Sequence, residues 1–181
     1  MREGGEGAGA NGSSGRPSAP AGSLIPMRAR IDTSAFPVGK DLDYEGEEER
    51  GRLAALTDEA SSFVRGWRWD PPVSELVLAF AVAPILGLFL MRFAPGGRPE
   101  DAERWVVVGD LPSMHFETDD APTPARALAL YCAIAQDWAD AVLAGRDLSE
   151  SYPIPVAPTR EHAESLKSRI AFIRESFLGL A

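Results

Sequence analysis

Two stretches in the second half of the chain have the apolar spacing of helices. The first begins after Thr123 and Pro124, which suit the N-cap and the first helical position, and it ends at Gly145. The second begins after Thr159 and is expected to stop at Gly179. The apolar stripes are Leu128, Tyr131, Ala135, Trp138 and Val142 in the first, and Ala163, Leu166, Ile170, Ile173 and Phe177 in the second. Both helices should pack on a sheet or on each other.

An uncharged run of 16 residues, 76–91, alternates between large and small side chains over its first half. Its period of two predicts a buried strand with two faces. One face carries Leu76, Leu78, Phe80 and Val82, and a face close under another element carries Ala79, Ala81 and Ala83. Pro84 should end or bulge this strand, and residues 85–93 should form a second strand or the continuation of a bent one.

A membrane span is the alternative interpretation of residues 76–91. As a helix, the run would cover roughly 24 Å of a hydrocarbon core about 30 Å thick. Pro84 and Gly87 would lie in its middle. The soluble, buried-strand interpretation is therefore favoured, and no membrane partner is expected.

An earlier helix is predicted from about Glu48 to Arg65. Its buried stripe would be Leu53, Leu56, Ala60 and Phe63. The order helix, strands and two helices predicts an α+β fold, in which a short, mainly antiparallel sheet is flanked by about three helices. The proline-containing connection 146–159 should be extended and ordered.

The N-terminal part differs in composition from the rest of the chain. Residues 1–26 are mainly Gly, Ala, Ser and Pro and cannot bury enough apolar surface to offset the entropy of ordering. They lack the apolar stretch of a signal peptide, and a translation start at Met27 is an alternative. Six acidic residues follow in 41–49. The expected organisation is a disordered, acidic tail over residues 1–49 and one domain over residues 50–181.

Charge and cysteine content narrow the classes of function. The chain of 181 residues has 18 Lys and Arg against 27 Asp and Glu, for a net charge of −9. This charge opposes binding to nucleic acid or anionic lipid and favours a protein partner with a basic surface. The single cysteine, Cys132, lies in a predicted helix and is expected to be a packed apolar residue, which suits a reducing, cytoplasmic environment. No cofactor is expected.

The segment WVVVGDLP, Trp105 to Pro112, places an aspartate, Asp110, at the end of an apolar strand. In an uninterrupted strand Asp110 would share an apolar face with Val106 and Val108, where a bare carboxylate is costly. Gly109 and Pro112 should therefore break the strand. We expect the Asp110 carboxylate to accept a hydrogen bond from a backbone N–H, such as that of Ser113.

These residues and the segments after them resemble a known protein family. The segment WVVVGDLPSMHF, the acidic turn after it, the helix start PTPARAL and the final amphipathic helix resemble an uncharacterised family of short bacterial proteins with a domain of unknown function. In that family a Trp-rich strand leads into a G-D-L-P-[ST] turn. The resemblance covers roughly residues 67–178 and implies no activity. It singles out Trp105, Gly109, Asp110, Leu111, Pro112 and Ser113 as candidate binding residues.

His115 and its neighbours suggest two catalytic alternatives. Asp110, His115 and Glu117 are candidate metal ligands, although no recognised ligand spacing is present. Ser113 and His115 are a candidate nucleophile pair, although the G-x-S-x-G elbow is missing. The acidic turn with Asp119 and Asp120 is explained by the helix dipole that follows it.

The remaining candidates have ordinary structural explanations beside their functional ones. His162, in the first turn of the last helix, is expected to be solvated. Trp67, Trp69 and Trp105 form either an aromatic ligand platform or ordinary core packing. The leading hypothesis is therefore a non-catalytic protein-binding module, of an immunity- or antitoxin-like kind, that faces a basic toxin. An enzyme built around His115 and a membrane-associated protein are the other hypotheses.

Overall fold

The computed structural model describes residues 30–36, 46–96 and 102–181. These residues form three α-helices and one four-stranded antiparallel sheet, so the predicted α+β fold is confirmed. A short 3-10 turn, Thr33–Ala35, precedes them. The elements in chain order are α1 (Glu47–Arg65), β1 (Val73–Val82), β2 (Leu86–Phe93), β3 (Glu103–Gly109), β4 (Met114–Glu117), α2 (Pro124–Ala144) and α3 (Arg160–Ser176).

The sheet has the order β1-β2-β3-β4, with each strand beside its neighbour in sequence. Helix α1 packs on one face, against Phe89, Met91, Val106 and Val108. Helices α2 and α3 cover the other face, where the core includes Leu88, Leu90, Trp105 and Val107. Because both faces are covered, β2 is apolar except at Arg92, and β3 is apolar from Trp105 to Val108.

The prediction that the large side chains of the first strand all lie on one face is wrong. The pairing of β1 with β2 shifts between Leu78 and Phe80, which leaves Ala79 as an extra, unpaired residue. A β-bulge of this kind reverses the alternation of the residues that follow it. Leu76 and Leu78 therefore pack in the cluster under α1, whereas Phe80 and Val82 pack in the cluster under α2 and α3.

Residues 76–91 lie in β1, the β1–β2 turn and β2, so the alternative of a membrane-spanning helix there is wrong. Within the described part of the chain, one helix, Pro124–Ala144, is long and apolar enough to cross a membrane by length and composition. This helix is α2, whose apolar stripe is in the core and which packs against α3.

Local signals located the ends of the helices well. The Thr123 side chain accepts a hydrogen bond from the Arg126 backbone N–H at 3.3 Å, and Gly145 ends α2 in the left-handed conformation at φ +65°. Thr159 caps α3 in the same way. Helix α3 ends at Ser176, before the predicted stop at Gly179.

The buried stripe of α1 differs from the prediction. Leu56 and Ala60 are buried as expected, and Val64 joins them. Leu53 and Phe63 are only partly buried. Phe63 lines a surface cavity next to β4, which explains why it is not enclosed in the core.

Residues 30–36 correct the expectation that the core begins near Arg50. Phe36 is 6% exposed and packs on Trp105, with 6.0 Å between the ring centroids. The predicted tail therefore contributes a residue to the core. The rest of the predicted tail up to residue 45, namely residues 1–29 and 37–45, lies outside the described residues.

An ion pair holds the start of this segment. Arg92 and the buried Glu103 are 2.9 Å apart. The Glu103 carboxylate accepts from the Ile31 N–H at 2.9 Å, and Arg92 donates to the Ile31 carbonyl at 2.8 Å. Both backbone groups of Ile31 are thus bound by charged partners, which strengthens such bonds.

Candidate functional site

The predicted break after β3 is confirmed, and Gly109 explains it. This residue has φ +125°, a region that favours glycine. A Cβ at this position would lie 2.5 Å from the carbonyl oxygen of Ile85. The same carbonyl accepts a hydrogen bond from the Asp110 N–H at 3.0 Å. The turn that follows, residues 109–112, is here called the GDLP turn.

Trp105 and Leu111 are core residues. Trp105 is fully buried, and its indole N–H donates to the Ala121 carbonyl at 2.7 Å. Leu111 is buried in the same cluster. The Pro112 carbonyl accepts a hydrogen bond from the Tyr131 hydroxyl at 3.1 Å, and burial raises the pKa of that phenol. The GDLP turn is therefore tied to the core on both sides.

Asp110 is exposed, and its contacts run through the backbone. Its carbonyl accepts a hydrogen bond from the Arg169 guanidinium of α3. The expected bond from the Ser113 N–H to the Asp110 carboxylate is not among the contacts of the described residues. A small cavity of about 130 Å³ separates the turn from α3. Asp110 thus serves the turn as a main-chain anchor.

A larger cavity, of about 420 Å³, opens beside β4. Its walls come from the end of α1 and the loop after it, from β4 and its approach, and from the connection between α2 and α3. We call it the aromatic pocket. It is lined by Phe63, Trp67, Ser113, Met114, His115, Tyr152, Pro153, Ile154 and Pro155.

His115 lies at the centre of an aromatic cluster. Its ring centroid is 5.1 Å from that of Trp67, at 89°, and 5.0 Å from that of Trp69, at 74°. Phe63 lies at 6.3 Å. Perpendicular contacts of this kind are a favourable geometry for aromatic rings.

The His115 ring has an unusual environment. Its Nδ1 atom is buried and has no hydrogen-bond partner among the described residues. Burial, and to a lesser degree the charge of Arg104, lower the pKa of the imidazole from its ordinary value of 6.5. The ring is therefore neutral at pH 7. Nε2 is the nitrogen left for a ligand in the pocket.

Two irregular segments position the pocket walls. After α1, the Trp69 indole N–H donates to the Val64 carbonyl at 2.8 Å, and its ring packs on Phe93 at 5.3 Å. On the other side, the Tyr152 hydroxyl donates to the His115 carbonyl, and burial raises the pKa of this phenol. The connection with Pro153 and Pro155 is thereby tied to β4, which is an edge strand.

The predicted nucleophile pair is not formed. The Ser113 hydroxyl lies 3.4 Å from a Glu59 carboxylate oxygen, to which it donates. The same oxygen accepts from the Gly109 N–H at 3.2 Å. Ser113 and His115 both line the aromatic pocket, but they make no hydrogen bond to each other in the described structure. A nucleophilic serine needs a base as its hydrogen-bond partner, and an imidazole does not fill that role here.

The predicted metal ligands do not come together. Among the residues that the structure describes, no group of three or more His, Cys, Asp or Glu side chains could hold a metal ion. Glu117 pairs with Arg104 at 3.7 Å, Asp110 faces α3, and His115 is enclosed by aromatic rings. The alternative candidates Asp110, His115 and Glu117 therefore form no metal-binding cluster in the described part of the chain.

Two further predictions are confirmed. Cys132 is fully buried in the core, and burial raises the pKa of its thiol, which makes it a poor nucleophile. His162 is exposed in the first turn of α3.

Two of the three tryptophans proposed as an aromatic platform lie together, and their role as a ligand site stays a prediction. Trp67 and Trp69 are in contact, at 6.3 Å, and both surround His115, whereas Trp105 is in the core. The sequence did not indicate the contributions of Phe63 and Tyr152. One usable signal was the pair of tryptophans in the short connection 66–72, where core packing from a helix or strand does not account for them.

The chain was compared with family models, with curated proteins and with solved structures, and none of them matched. The resemblance to a family with a G-D-L-P-[ST] turn therefore stays a prediction.

Proposed function

We propose that this protein is a non-catalytic binding module that contacts a partner protein through the aromatic pocket. The partner would present a basic surface, and an immunity- or antitoxin-like role in the cytoplasm is the specific form of this proposal.

The observation that carries the proposal is the position of Trp67. Its side chain is 54% exposed although it lies in an aromatic cluster beside an apolar cavity. Tryptophan is enriched among the few interface residues that supply most of the binding energy, and such residues are paired with pockets. An exposed indole at the rim of a pocket is an expected anchor for a protein partner.

Charge supports the nature of the partner. The net charge of −9 favours association with a basic protein and speeds the encounter at low salt. The candidate chemical groups support a binding role, because Ser113 is engaged by Glu59 and the three proposed metal ligands lie apart.

The test begins with identification of a partner by capture on the immobilised full chain. The purified partner is then titrated against the wild type, Trp67→Ala and Phe172→Ala. Phe172 is a matched control, because it is 50% exposed and lies on α3, away from the pocket. We expect Trp67→Ala to weaken binding at least about 30-fold, as a loss of about 2 kcal/mol implies, and Phe172→Ala to change it little.

Equal affinity of the wild type and Trp67→Ala for the purified partner would contradict the proposed site. Turnover of a substrate by the purified protein, lost in His115→Gln, would contradict the non-catalytic role.

A further inference from the structure

We propose that the aromatic pocket receives an uncharged tyrosine side chain of the partner protein, whose hydroxyl pairs with His115. This inference rests on the proposed function and names the chemical group that the site recognises. It is drawn from the size of the cavity, the charge of its walls, the free imidazole nitrogen and the bonds already made at the strand edge.

The size of the cavity suits an aromatic ring. An apolar cavity of about 150 Å³ holds a benzene molecule. The aromatic pocket has about 420 Å³, which is enough for a phenol ring together with part of the segment that carries it. Phe63, Trp67 and His115 offer ring faces and edges, and Pro153 and Pro155 complete the wall. An inserted ring would extend the edge-to-face contacts that these rings already make.

The charge of the walls disfavours a cationic side chain. Aromatic cages do bind cations, and a basic partner would supply lysine or arginine. However, none of the described residues that line the aromatic pocket is charged, and the cation of Arg104 acts on His115. The Glu59 carboxylate beside Ser113 already accepts hydrogen bonds from Ser113 and from the Gly109 N–H, so a cation in the pocket would have no carboxylate in the lining to pair with. The basic groups of the partner would instead contact acidic side chains elsewhere on this chain, whose net charge is −9.

The His115 ring favours a side chain that can accept a hydrogen bond, as a phenol hydroxyl can. A neutral imidazole has one N–H donor and one acceptor nitrogen. Because Nδ1 is buried without a partner, placing the proton there would leave a buried donor unsatisfied. The favoured tautomer carries its proton on Nε2, which then needs an acceptor. A phenol oxygen accepts this bond, whereas the indole N–H of tryptophan only donates.

The strand edge is less suited to another common way of binding a peptide. An extended peptide adds to an edge strand through that strand's free backbone groups. At β4 the His115 carbonyl already accepts from Tyr152. A free small molecule is also a poorer fit, because such sites use several placed polar groups and Ser113 is already bonded to Glu59.

The experiment titrates the full chain with the pentapeptides acetyl-GSYSG-amide, acetyl-GSFSG-amide and acetyl-GSKSG-amide, and with free 4-methylphenol. Binding is followed by NMR through the ring signals of His115 and the indole N–H signals. We expect the tyrosine peptide to bind in the millimolar range and to perturb both His115 and Trp67. It should bind about fivefold more tightly than the phenylalanine peptide, because of one hydrogen bond, and at least tenfold more tightly than the lysine peptide.

Variants separate the hydrogen bond from the shape of the pocket. His115→Phe keeps an aromatic wall and should bring the tyrosine peptide down to the affinity of the phenylalanine peptide. Trp67→Ala should abolish binding of both peptides, and Phe172→Ala should leave it unchanged. The wild-type series needs no variant and is decisive even if His115→Phe fails to fold.

Equal or tighter binding of the lysine peptide would overturn the proposal, as would a tyrosine preference that persists in His115→Phe. Binding of free 4-methylphenol without binding of the tyrosine peptide would overturn the assignment to a protein side chain. If the tyrosine peptide binds but Trp67→Ala does not affect the purified partner, the proposed function fails and the chemistry of the pocket stands. If Trp67→Ala weakens partner binding but the tyrosine peptide does not bind, only the tyrosine assignment fails.

Discussion

The GDLP turn and the aromatic pocket lie next to each other at the β3–β4 end of the sheet. They differ in whether their polar groups have hydrogen-bond partners. Four backbone groups of the turn are hydrogen-bonded, with partners Glu59, Ile85, Arg169 and Tyr131. In the pocket, His115 Nδ1 is buried without a partner, and Trp67 is half exposed. A segment held by several backbone hydrogen bonds stabilises the fold, whereas unpaired groups and exposed rings beside a cavity indicate a place for a ligand.

The comparison predicts that substitutions in the turn change stability, while substitutions in the pocket change binding. Gly109→Ala should have the largest effect. The positive φ of Gly109 and the Ile85 carbonyl, which would lie 2.5 Å from a Cβ, leave no room for a side chain. We expect a loss of about 2 to 4 kcal/mol of unfolding free energy in denaturant titrations. A loss below about 0.5 kcal/mol would show that the turn adapts easily.

Two tyrosine hydroxyls offer a paired test of the same contrast. Tyr131→Phe removes the bond to the Pro112 carbonyl of the turn, and Tyr152→Phe removes the bond to the His115 carbonyl at the pocket. Each should cost about 0.5 to 1.5 kcal/mol of unfolding free energy. Only Tyr152→Phe should also weaken binding of the tyrosine peptide, since it loosens a pocket wall. Weaker peptide binding in both variants would contradict the prediction that the turn affects stability alone.

Stability should depend on pH through His115. Its pKa is lowered in the folded state, so below the ordinary value of 6.5 the unfolded chain binds a proton that the folded protein does not. Stability therefore falls as the pH drops from 6.5 toward the folded pKa, and above 6.5 the group contributes nothing. His115→Gln should flatten this part of the profile in urea titrations between pH 7 and pH 5.

The control for this profile is the other histidine of the chain. In His162→Gln the fall below pH 6.5 should remain, because His115 is still present. A profile that is flat in His162→Gln and unchanged in His115→Gln would reverse the assignment.

Asp110→Asn should have the smallest effect. The contacts of Asp110 run through its backbone, which asparagine preserves, and the side chain is exposed. We expect a change in unfolding free energy within about 0.5 kcal/mol and unchanged binding of the partner. Loss of binding in a stable Asp110→Asn protein would move the functional site from the pocket to the turn.

Several features of this chain could be predicted from residues that are close together in the sequence. The caps of α2 and α3 follow from Thr123, Gly145 and Thr159, because capping bonds join residues a few positions apart. The end of β3 at Gly109 followed from the cost of burying an aspartate on an apolar face. The order of the elements then predicted the α+β fold.

The candidate site was only partly predictable. The sequence suggested Trp67, Trp69 and His115 as separate candidates and added Trp105, which is a core residue. It could not join Phe63 to Tyr152, because these residues line one cavity only when α1 and the α2–α3 connection both lie beside β4.

What the sequence by itself determined is the type and the ends of most elements, since these depend on residues within a turn or two of each other. The tertiary structure decided which face each residue occupies. The extra residue Ala79 turns Phe80 away from the face of Leu78, and Phe36 fills the core from outside the expected domain. Both outcomes depend on partners far away in sequence: β2 determines the register of β1, and the ion pair of Arg92 with Glu103 holds the segment that carries Phe36.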